Sequence, residues 1–326
     1  MAGEPWSLTV RQYVIRRLLL IPVTILLVSI FFFAMLRAIP GDTVSALFAE
    51  PGGFISEDGV RLIREELGLD RPVHIQYLDY MWHMIRGDLG YSYAFRRPVT
   101  EVLHQRLPRT AQLMGMALVG GLLIGIPLGV ISAYKQDSLL DNGARVFAVT
   151  GLTLPVFVVA ALLLSLLVRV FDWMPSLDYV GPHEDFIGNM KIMIWPAMVL
   201  IFGEAAPFTR LTRSQMLEVI REDYIRTARS KGLGERVVIL RHALRNAMLP
   251  IITVAGLNLS RLMAGALITE VVFEVRGMGS AMVEAAELLD YVLLQSLVII
   301  TALTILVINL LTDLTYSWID PRIRYA

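Results

Sequence analysis

Residues 18–36 read LLLIPVTILLVSIFFFAML, an apolar run without one charged side chain. A helix needs roughly 20 apolar residues to cross about 30 Å of hydrocarbon, so this run is long enough to span a membrane. Its apolar core is longer than that of a secretory signal peptide, and Ile39-Pro40-Gly41-Asp42 follows where a small-residue cleavage site would stand. We therefore expect a first span that is retained in the mature protein.

Five more stretches of the chain are apolar over a similar length, namely residues 111–133, 146–168, 192–209, 248–273 and 291–311. The composition agrees, with 56% hydrophobic and 18% charged residues and a mean hydropathy of +0.61. Hydrocarbon offers no partner for backbone polar groups, so each spanning run must pair its own N–H and C=O groups as a helix. The sequence predicts an all-α polytopic membrane protein with six transmembrane helices.

The basic residues gather at segments that alternate with the outer loops of such a protein. They are Arg11, Arg16, Arg17, Lys135, Arg145, Arg226, Arg229, Lys231, Arg236, Arg241, Arg245, Arg322 and Arg324. Cytoplasmic loops carry an excess of lysine and arginine, so these segments are expected in the cytoplasm together with both termini. The net acidic segments 172–191 and 276–290 are expected outside.

The pattern divides the chain into three parts. Residues 1–106 hold the first span and a long extracytoplasmic loop, residues 107–315 form a core of five helices, and residues 316–326 form a cytoplasmic tail. Within the outer loop, helical spacing relates Val60, Ile63 and Leu67, and it also relates Tyr77, Tyr80, Met81 and Met84. The loop ends in the turn-forming residues 87–90.

A basic insert covers residues 222–250 and reads EDYIRTARSKGLGERVVILRHALRNAMLP. Most of it belongs to the predicted cytoplasmic segment 210–247, and its last three residues begin the fifth apolar run. Glu222 and Asp223 suit the start of a helix, and Arg229 and Lys231 suit its last turn. Gly232 then stands where a left-handed cap is expected. A second helix is predicted from residue 237, with an apolar stripe formed by Val237, Leu240, Leu244, Ala247 and Ile251.

The first of these helices should expose Tyr224, Ala228 and Gly232 on one face, because they are four residues apart. Small residues let another surface approach closely, and an aromatic ring can anchor in a pocket. The residues alone leave two interpretations open. The insert is either a docking surface for another protein or a basic linker that only enforces topology.

The insert resembles the EAA loop of the membrane subunits of ABC importers. That loop has Glu-Ala-Ala, then Gly four residues on, then Leu-Pro. Here the slots hold Arg226-Thr227-Ala228, then Gly232, then Leu249-Pro250, so the Glu and the first Ala are replaced. Residues 223–233, DYIRTARSKGL, are similar to the dipeptide and oligopeptide branch of that family. Further marks of the branch occur in its order: IPGD at 39–42, GDLGYS at 87–92, PV at 98–99, RLP at 106–108, HALRNA at 242–247 and DPR at 320–322.

The resemblance implies a type I ABC importer transmembrane fold in a bacterial or archaeal cytoplasmic (inner) membrane. It implies a heterodimer with a second homologous permease, two ABC ATPase subunits, a periplasmic or lipid-anchored substrate-binding protein, and a peptide or similar small solute. ATP and Mg would be bound by the partner ATPases. The short helix would contact them through Glu222, Asp223, Tyr224, Arg226, Thr227, Ala228, Gly232 and Leu233.

No catalytic chemistry is predicted for the chain itself. A phosphate-binding loop needs Gly-Lys, and Lys135, Lys191 and Lys231 follow Tyr, Met and Ser. The chain has no cysteine, and its five histidines show no ligand spacing, so we expect no metal site. The net charge of zero gives no field that favours nucleic acid, and the expected contacts are with protein and membrane lipid.

Two charged residues inside the spans are candidates for the substrate pathway, because charges there are costly and often functional. Glu204 lies in the fourth run, and Arg261 lies about 18 Å into the fifth. Arg261 either meets an anionic group of the substrate, pairs with Glu204, or caps helix carbonyls. A rival class, an ATP-independent secondary transporter or channel, would show an internal repeat and a buried ion site. A second rival is a structural membrane protein whose basic loop binds anionic lipid.

Overall fold

The computed structural model describes residues 10–38, 65, 68, 70–176 and 179–319, with side chains described from residue 15 to residue 315. The predictions for Ile39–Asp42, for Val60, Ile63 and Leu67, and for residues 320–324 lie outside this range, as does the side chain of Arg11. In the described residues the long elements are α-helices. They are α1 (Val10–Ala38), α2 (Val73–Ile85), α3 (Val99–Tyr134), α4 (Leu139–Thr153), α5 (Val156–Phe171), α6 (Phe186–Val219), α7 (Asp223–Ser230), α8 (Glu235–Val272), α9 (Met278–Glu287) and α10 (Tyr291–Ile319).

Five of these helices are long and apolar enough to cross a membrane, namely α1, α3, α6, α8 and α10. The bent pair α4–α5 brings the number to six if the pair counts as one span. The predicted fold class, an all-α polytopic membrane protein, is confirmed. Helix α3 begins at Val99, well before the apolar run at 111–133, so the RLP residues 106–108 lie inside the helix.

The third predicted span is not one continuous helix, and in this respect the prediction from residues 146–168 is wrong. Helix α4 ends at Thr153, Leu154 is extended with ψ 124°, and α5 begins after Pro155 at an angle of 106° to α4. Proline has no N–H to donate and disfavours helical geometry in the residue before it. Pro155 therefore ends α4 and serves as the N-cap of α5.

Glycines on α3 allow a close approach to α6. A Cβ added at Gly125 would lie 2.6 Å from the Phe208 Cβ atom, and one at Gly129 would lie 2.5 Å from the Thr212 Cβ atom. Gly121 faces Glu204 in the same way, at 2.7 Å from its Cβ atom. Small residues spaced by four bring membrane helices together, so this stripe accounts for three of the glycines as packing positions.

Contacts divide the chain into two compact units, each taken here as far as it is described. One contains residues 1–13, 110–276 and 308–326, and the other contains residues 14–109 and 277–307. The second unit holds a core made from the end of α1, the start of α3, α9 and the start of α10. Its most buried apolar members are Leu36, Val99, Val102, Met278, Ala281, Ala285, Leu293 and Leu297.

The predicted helix and turn of the outer loop are confirmed in this second unit. Helix α2 covers Val73–Ile85, and Gly87 and Gly90 both have φ +81°, a region that favours glycine. A small hairpin follows, with β1 (Tyr91–Ser92) antiparallel to β2 (Arg97–Pro98). The buried carboxylate of Asp290 accepts hydrogen bonds from the Ser92 hydroxyl at 2.6 Å and from the Leu293 N–H at 3.0 Å, which fixes the hairpin to the start of α10.

Candidate functional site

Helix α7 lies against its own chain through a narrow apolar face. Ile225 and Ala228, three residues apart, point inward, and Ile225 is fully buried. They pack in a cluster with residues from α3, α6 and the start of α8, namely Ala133, Met216, Val238, Ile239, Ala243 and Ala247. Burying an isoleucine side chain contributes about 1.5–3 kcal/mol, so this contact seats a helix too short to be stable alone.

The predicted start and end of α7 are confirmed. Glu222 is the N-cap with ψ 146°, and its carbonyl accepts the Ile225 N–H at 3.0 Å. At the other end Gly232 has φ +77°, and its N–H donates to the Arg229 carbonyl at 2.9 Å. A side chain other than glycine would cost about 1–2 kcal/mol in this left-handed region.

An ion pair closes the turn between α7 and α8. The Arg229 guanidinium donates from Nη2 to Glu235 Oε1 at 2.8 Å and from Nε to Oε2 at 3.2 Å. This fork-to-fork geometry orients both side chains, and the neighbouring carboxylate raises the pKa of Arg229 above its usual value. Each side chain is more than a third exposed, so the pair fixes the shape of the turn more than it adds stability.

A hydrogen bond ties the start of α7 to α8. The Asn246 amide nitrogen donates to the Tyr224 hydroxyl at 2.9 Å and to the His242 carbonyl at 3.0 Å. The Tyr224 ring stays partly exposed. Helix α7 is therefore held at its start by Tyr224, in its middle by the apolar face, and at its end by the Arg229–Glu235 pair.

The expectation that α7 exposes Ala228 is wrong. Ala228 is only 7% exposed, because it shares the inward face with Ile225. The outward face instead carries Asp223 and Arg226, whose side chains are 94% and 74% exposed and approach to 3.4 Å. Thr227 lies beside them and donates its hydroxyl to the Asp223 carbonyl at 3.0 Å. Glu222, Gly232 and Leu233 are also exposed.

The predicted apolar stripe on α8 is wrong over its first half. Helix α8 begins at Glu235, and residues Val238–Ala243 form a π turn. A π turn adds about one residue per turn, which rotates the following side chains relative to an α-helical pattern. The inward residues are consequently Val238, Ile239 and Ala243, whereas Val237 and Leu240 are exposed. The stripe regains the predicted register at Ala247 and Ile251, both of which are buried.

The two charged pathway candidates lie on neighbouring helices. The Glu204 carboxylate on α6 accepts a hydrogen bond from the Asn258 amide on α8 at 3.1 Å. Arg261, three residues further along α8, is exposed and acts on Glu204 electrostatically. In the part of the chain that the structure describes, no salt bridge or hydrogen bond joins Arg261 to Glu204.

A buried charge network near the apolar cluster that holds α7 was not predicted from the sequence. Asp141 at the start of α4 is fully buried, and its oxygens accept Arg213 Nε at 2.7 Å and Nη2 at 2.9 Å. The Ser132 hydroxyl and the Asp137 N–H add bonds at 2.6 and 2.9 Å. This carboxylate joins the end of α3, the start of α4 and the last turns of α6. Arg213 is 72 residues away in sequence, so spacing gave no signal.

Two family models match the chain. The model described as binding-protein-dependent transport system inner membrane component matches residues 125–325. The model for the N-terminal part of such membrane components matches residues 10–114.

Full-length relatives agree with these matches. The chain is 39% identical to the dipeptide transport system permease protein DppB of Escherichia coli (strain K12), over 96% of this chain and 99% of the relative. Over the same shares it is 36% identical to a putative peptide permease protein of Brucella suis biovar 1 (strain 1330) and 34% identical to DppB of Alkalihalophilus pseudofirmus. The family resemblance drawn from the sequence is confirmed.

Proposed function

Because this chain belongs to the inner-membrane components of binding-protein-dependent transport systems, we propose that it forms half of the translocation pathway of an ATP-driven peptide importer. It is a multi-pass permease subunit of the inner membrane, and the other half would come from a second homologous permease. Partner ATPases in the cytoplasm would bind ATP and Mg and hydrolyse the nucleotide. A periplasmic or lipid-anchored binding protein would deliver the solute.

The observation that carries the proposal is the way α7 is held. Its three attachments, through Tyr224, the Ile225–Ala228 face and the Arg229–Glu235 pair, all go to helices that continue as membrane spans. A force applied to the outward face of α7 would therefore reach α3, α6 and α8 directly. In this role Ala228 seats the helix, whereas Asp223, Arg226 and Thr227 meet the ATPase.

The same attachments favour a docking helix over a passive basic linker. A linker that only marks the cytoplasmic side needs positive charge but no fixed geometry. Here Glu222 and Asp223 place negative charge beside Arg226, so the outward face has mixed charge. Mixed charge suits a protein surface better than an anionic lipid surface, which attracts clustered lysine and arginine.

Peptides are the proposed solute because the relatives quoted above are a dipeptide permease and a putative peptide permease. Residues 107–315 would form the core of the pathway, and residues 1–106 would contribute an outer region that faces the binding protein. Both termini would lie in the cytoplasm. Arg261 and Glu204 are proposed as charged residues of the pathway, with Arg261 meeting a peptide carboxylate.

The proposal is tested by purifying the tagged chain from its native membrane in mild detergent and identifying the co-purifying proteins by mass spectrometry. We expect a second permease and ATPases that carry phosphate-binding loops. Arg226→Glu and Gly232→Trp should release the ATPases while the second permease stays bound, because both changes lie on or beside the outward face of α7.

Arg241→Glu is the matched control, since Arg241 is an exposed arginine of the same insert on α8. It should retain the ATPases. If the insert is only a topology anchor or a lipid contact, Arg226→Glu and Arg241→Glu will behave alike. An ATP-independent transporter or channel would co-purify without any ATPase.

A further inference from the structure

A cavity of about 410 Å³ lies in the unit formed by residues 14–109 and 277–307, and its lining includes neither Arg261 nor Glu204 nor any residue of α7. Helix α2, the turn at 87–90, the end of α1 and the start of α10 enclose it. Its volume falls within the range of about 300–1,000 Å³ that is typical of small-molecule sites. In the proposed topology all four elements lie on the outer side of the membrane.

The inner wall of this cavity contains two polar groups with no hydrogen-bond partner among the described residues. Gln295 is only 3% exposed, and its Nε2 atom has no acceptor. The Tyr80 hydroxyl is also buried, and no described atom meets the geometry of a hydrogen bond to it; its polar neighbour Ser296 donates to the Leu89 carbonyl at 3.3 Å. Burial also raises the pKa of Tyr80, which keeps the phenol protonated and able to donate.

Two such groups in the lining of one cavity are consistent with a ligand that would pair with them. The large majority of buried side-chain polar atoms in proteins are paired, and an unpaired one costs about 1–3 kcal/mol. Both Gln295 Nε2 and the Tyr80 hydroxyl are donors, so the group that would satisfy them is an acceptor such as a carboxylate or a peptide carbonyl.

The rim of the cavity carries two carboxylates, which would attract a positively charged group. The carboxylates of Asp79 and Asp88 are both more than half exposed, and His83 lies between them at 3.7 and 3.2 Å. Across from them Arg37 is already engaged, since its Nε and Nη2 atoms donate to Gln76 Oε1 at 3.1 and 2.7 Å. An ammonium group at this rim would face Asp88 and would share Asp79 with Arg71, which lies 3.9 Å from it, while an acceptor would find the donors of Gln295 and Tyr80.

We propose that this cavity binds a short peptide in its zwitterionic form, with the carboxylate or a peptide carbonyl at Gln295 and Tyr80 and the ammonium group facing Asp79 and Asp88. Phe33 and Tyr291 supply apolar wall for the side chains of the peptide. The site would hold the solute on the outer side before it enters the membrane-spanning pathway. This inference rests on the proposed function for the class of solute, while the donors and carboxylates stand independently of it.

The test is equilibrium dialysis of radiolabelled L-alanyl-L-alanine against the full chain in lipid nanodiscs. Gln295→Met keeps the size of the side chain and removes the donor, and Tyr80→Phe removes only the hydroxyl. Each should weaken binding about tenfold, which corresponds to about 1.4 kcal/mol. The uncharged analogue N-acetyl-alanyl-alanine amide should bind more weakly than the zwitterion to the unaltered chain.

Thr301→Val is the matched control, because the Thr301 hydroxyl is also buried and unpaired on α10 but does not line the cavity. It should leave the affinity unchanged. The melting temperature of Gln295→Met should stay constant or rise, since an unpaired buried donor is removed. A loss of peptide binding without a loss of stability separates a ligand contact from a structural one.

Three results would overturn the inference: no binding of L-alanyl-L-alanine to the unaltered chain, equal binding of the uncharged analogue, or a change of less than about twofold in Gln295→Met. Import of the same dipeptide by the complete complex in proteoliposomes is measured in parallel. If the complex imports the dipeptide and Gln295→Met still binds it normally, the cavity proposal fails alone. If the complex imports no peptide, the proposed function fails as well.

Discussion

Replacing Asp141 with alanine should destabilise this permease by about 3 kcal/mol, at the lower end of the 3–5 kcal/mol typical of a broken buried ion pair. The change would leave the Arg213 guanidinium and the buried Ser132 hydroxyl without their acceptor. The lower end applies because the Arg213 side chain is 21% exposed, so water can recover part of the lost interaction.

The interaction energy between Asp141 and Arg213 can be measured with a double-mutant cycle. Arg213→Met alone should also be strongly destabilising, because it leaves a buried carboxylate with fewer donors. The double variant Asp141→Ala/Arg213→Met should cost much less than the two single costs together, with a coupling energy of about 1–3 kcal/mol. Asp223→Ala is the control, because its ion pair with Arg226 is exposed to solvent and should give little measurable change.

The assay is equilibrium unfolding of the purified protein in mixed micelles with increasing sodium dodecyl sulfate, followed by circular dichroism. Wild type, the two single variants, the double variant and Asp223→Ala are measured under the same conditions. A stability of Asp141→Ala within about 1 kcal/mol of wild type, or two single costs that simply add, would show that Asp141 and Arg213 do not form a stabilising pair.

Two further predictions concern helix packing and the pathway. Gly125→Val should destabilise the protein by about 1–3 kcal/mol in the same unfolding assay, because the added Cβ meets Phe208. Gly143→Ala on α4 should stabilise the protein by about 0.5–1 kcal/mol, because the added Cβ meets no atom within 4 Å. Equal effects of the two changes would show that α3 and α6 do not approach as described. Arg261→Ala should reduce dipeptide import by the intact complex about tenfold, a loss of about 1.4 kcal/mol, and normal import would remove Arg261 from the pathway.

The membrane class could be predicted because it depends on local composition. The run at 18–36 lies within α1, and the other apolar runs lie within helices or the bent α4–α5 pair, except that Phe273 follows the end of α8. Gly232 could be placed for a similar reason, since a glycine after a basic last turn is a local signal for a left-handed cap. Pro155 lies inside the third apolar run, but a proline inside a span can either kink a helix or end it. Only the geometry of Leu154 shows that α4 ends there.

Features that depend on tertiary contacts could not be predicted from spacing. Ala228 was expected on the exposed face because it lies four residues from both Tyr224 and Gly232, and the structure places it on the inward face with Ile225. The prediction of the apolar stripe on α8 assumed α-helical periodicity throughout. The π turn at Val238–Ala243 interrupts that periodicity. The partners of Asp141 and the unpaired amide of Gln295 depend on segments far apart in sequence, so no local pattern reveals them.

Whether α7 docks on an ATPase is measured by a site-specific photo-cross-link from the outward face of α7. The chain contains no cysteine, so Thr227→Cys provides a single thiol for a maleimide-benzophenone reagent without any other change. Leu240→Cys, exposed on α8 in the same insert, is the control. The account predicts that illumination of the purified complex links an ATPase subunit to position 227 and much less to position 240. No ATPase adduct at 227, or equal adducts at the two positions, would contradict the claim that α7 is the coupling helix.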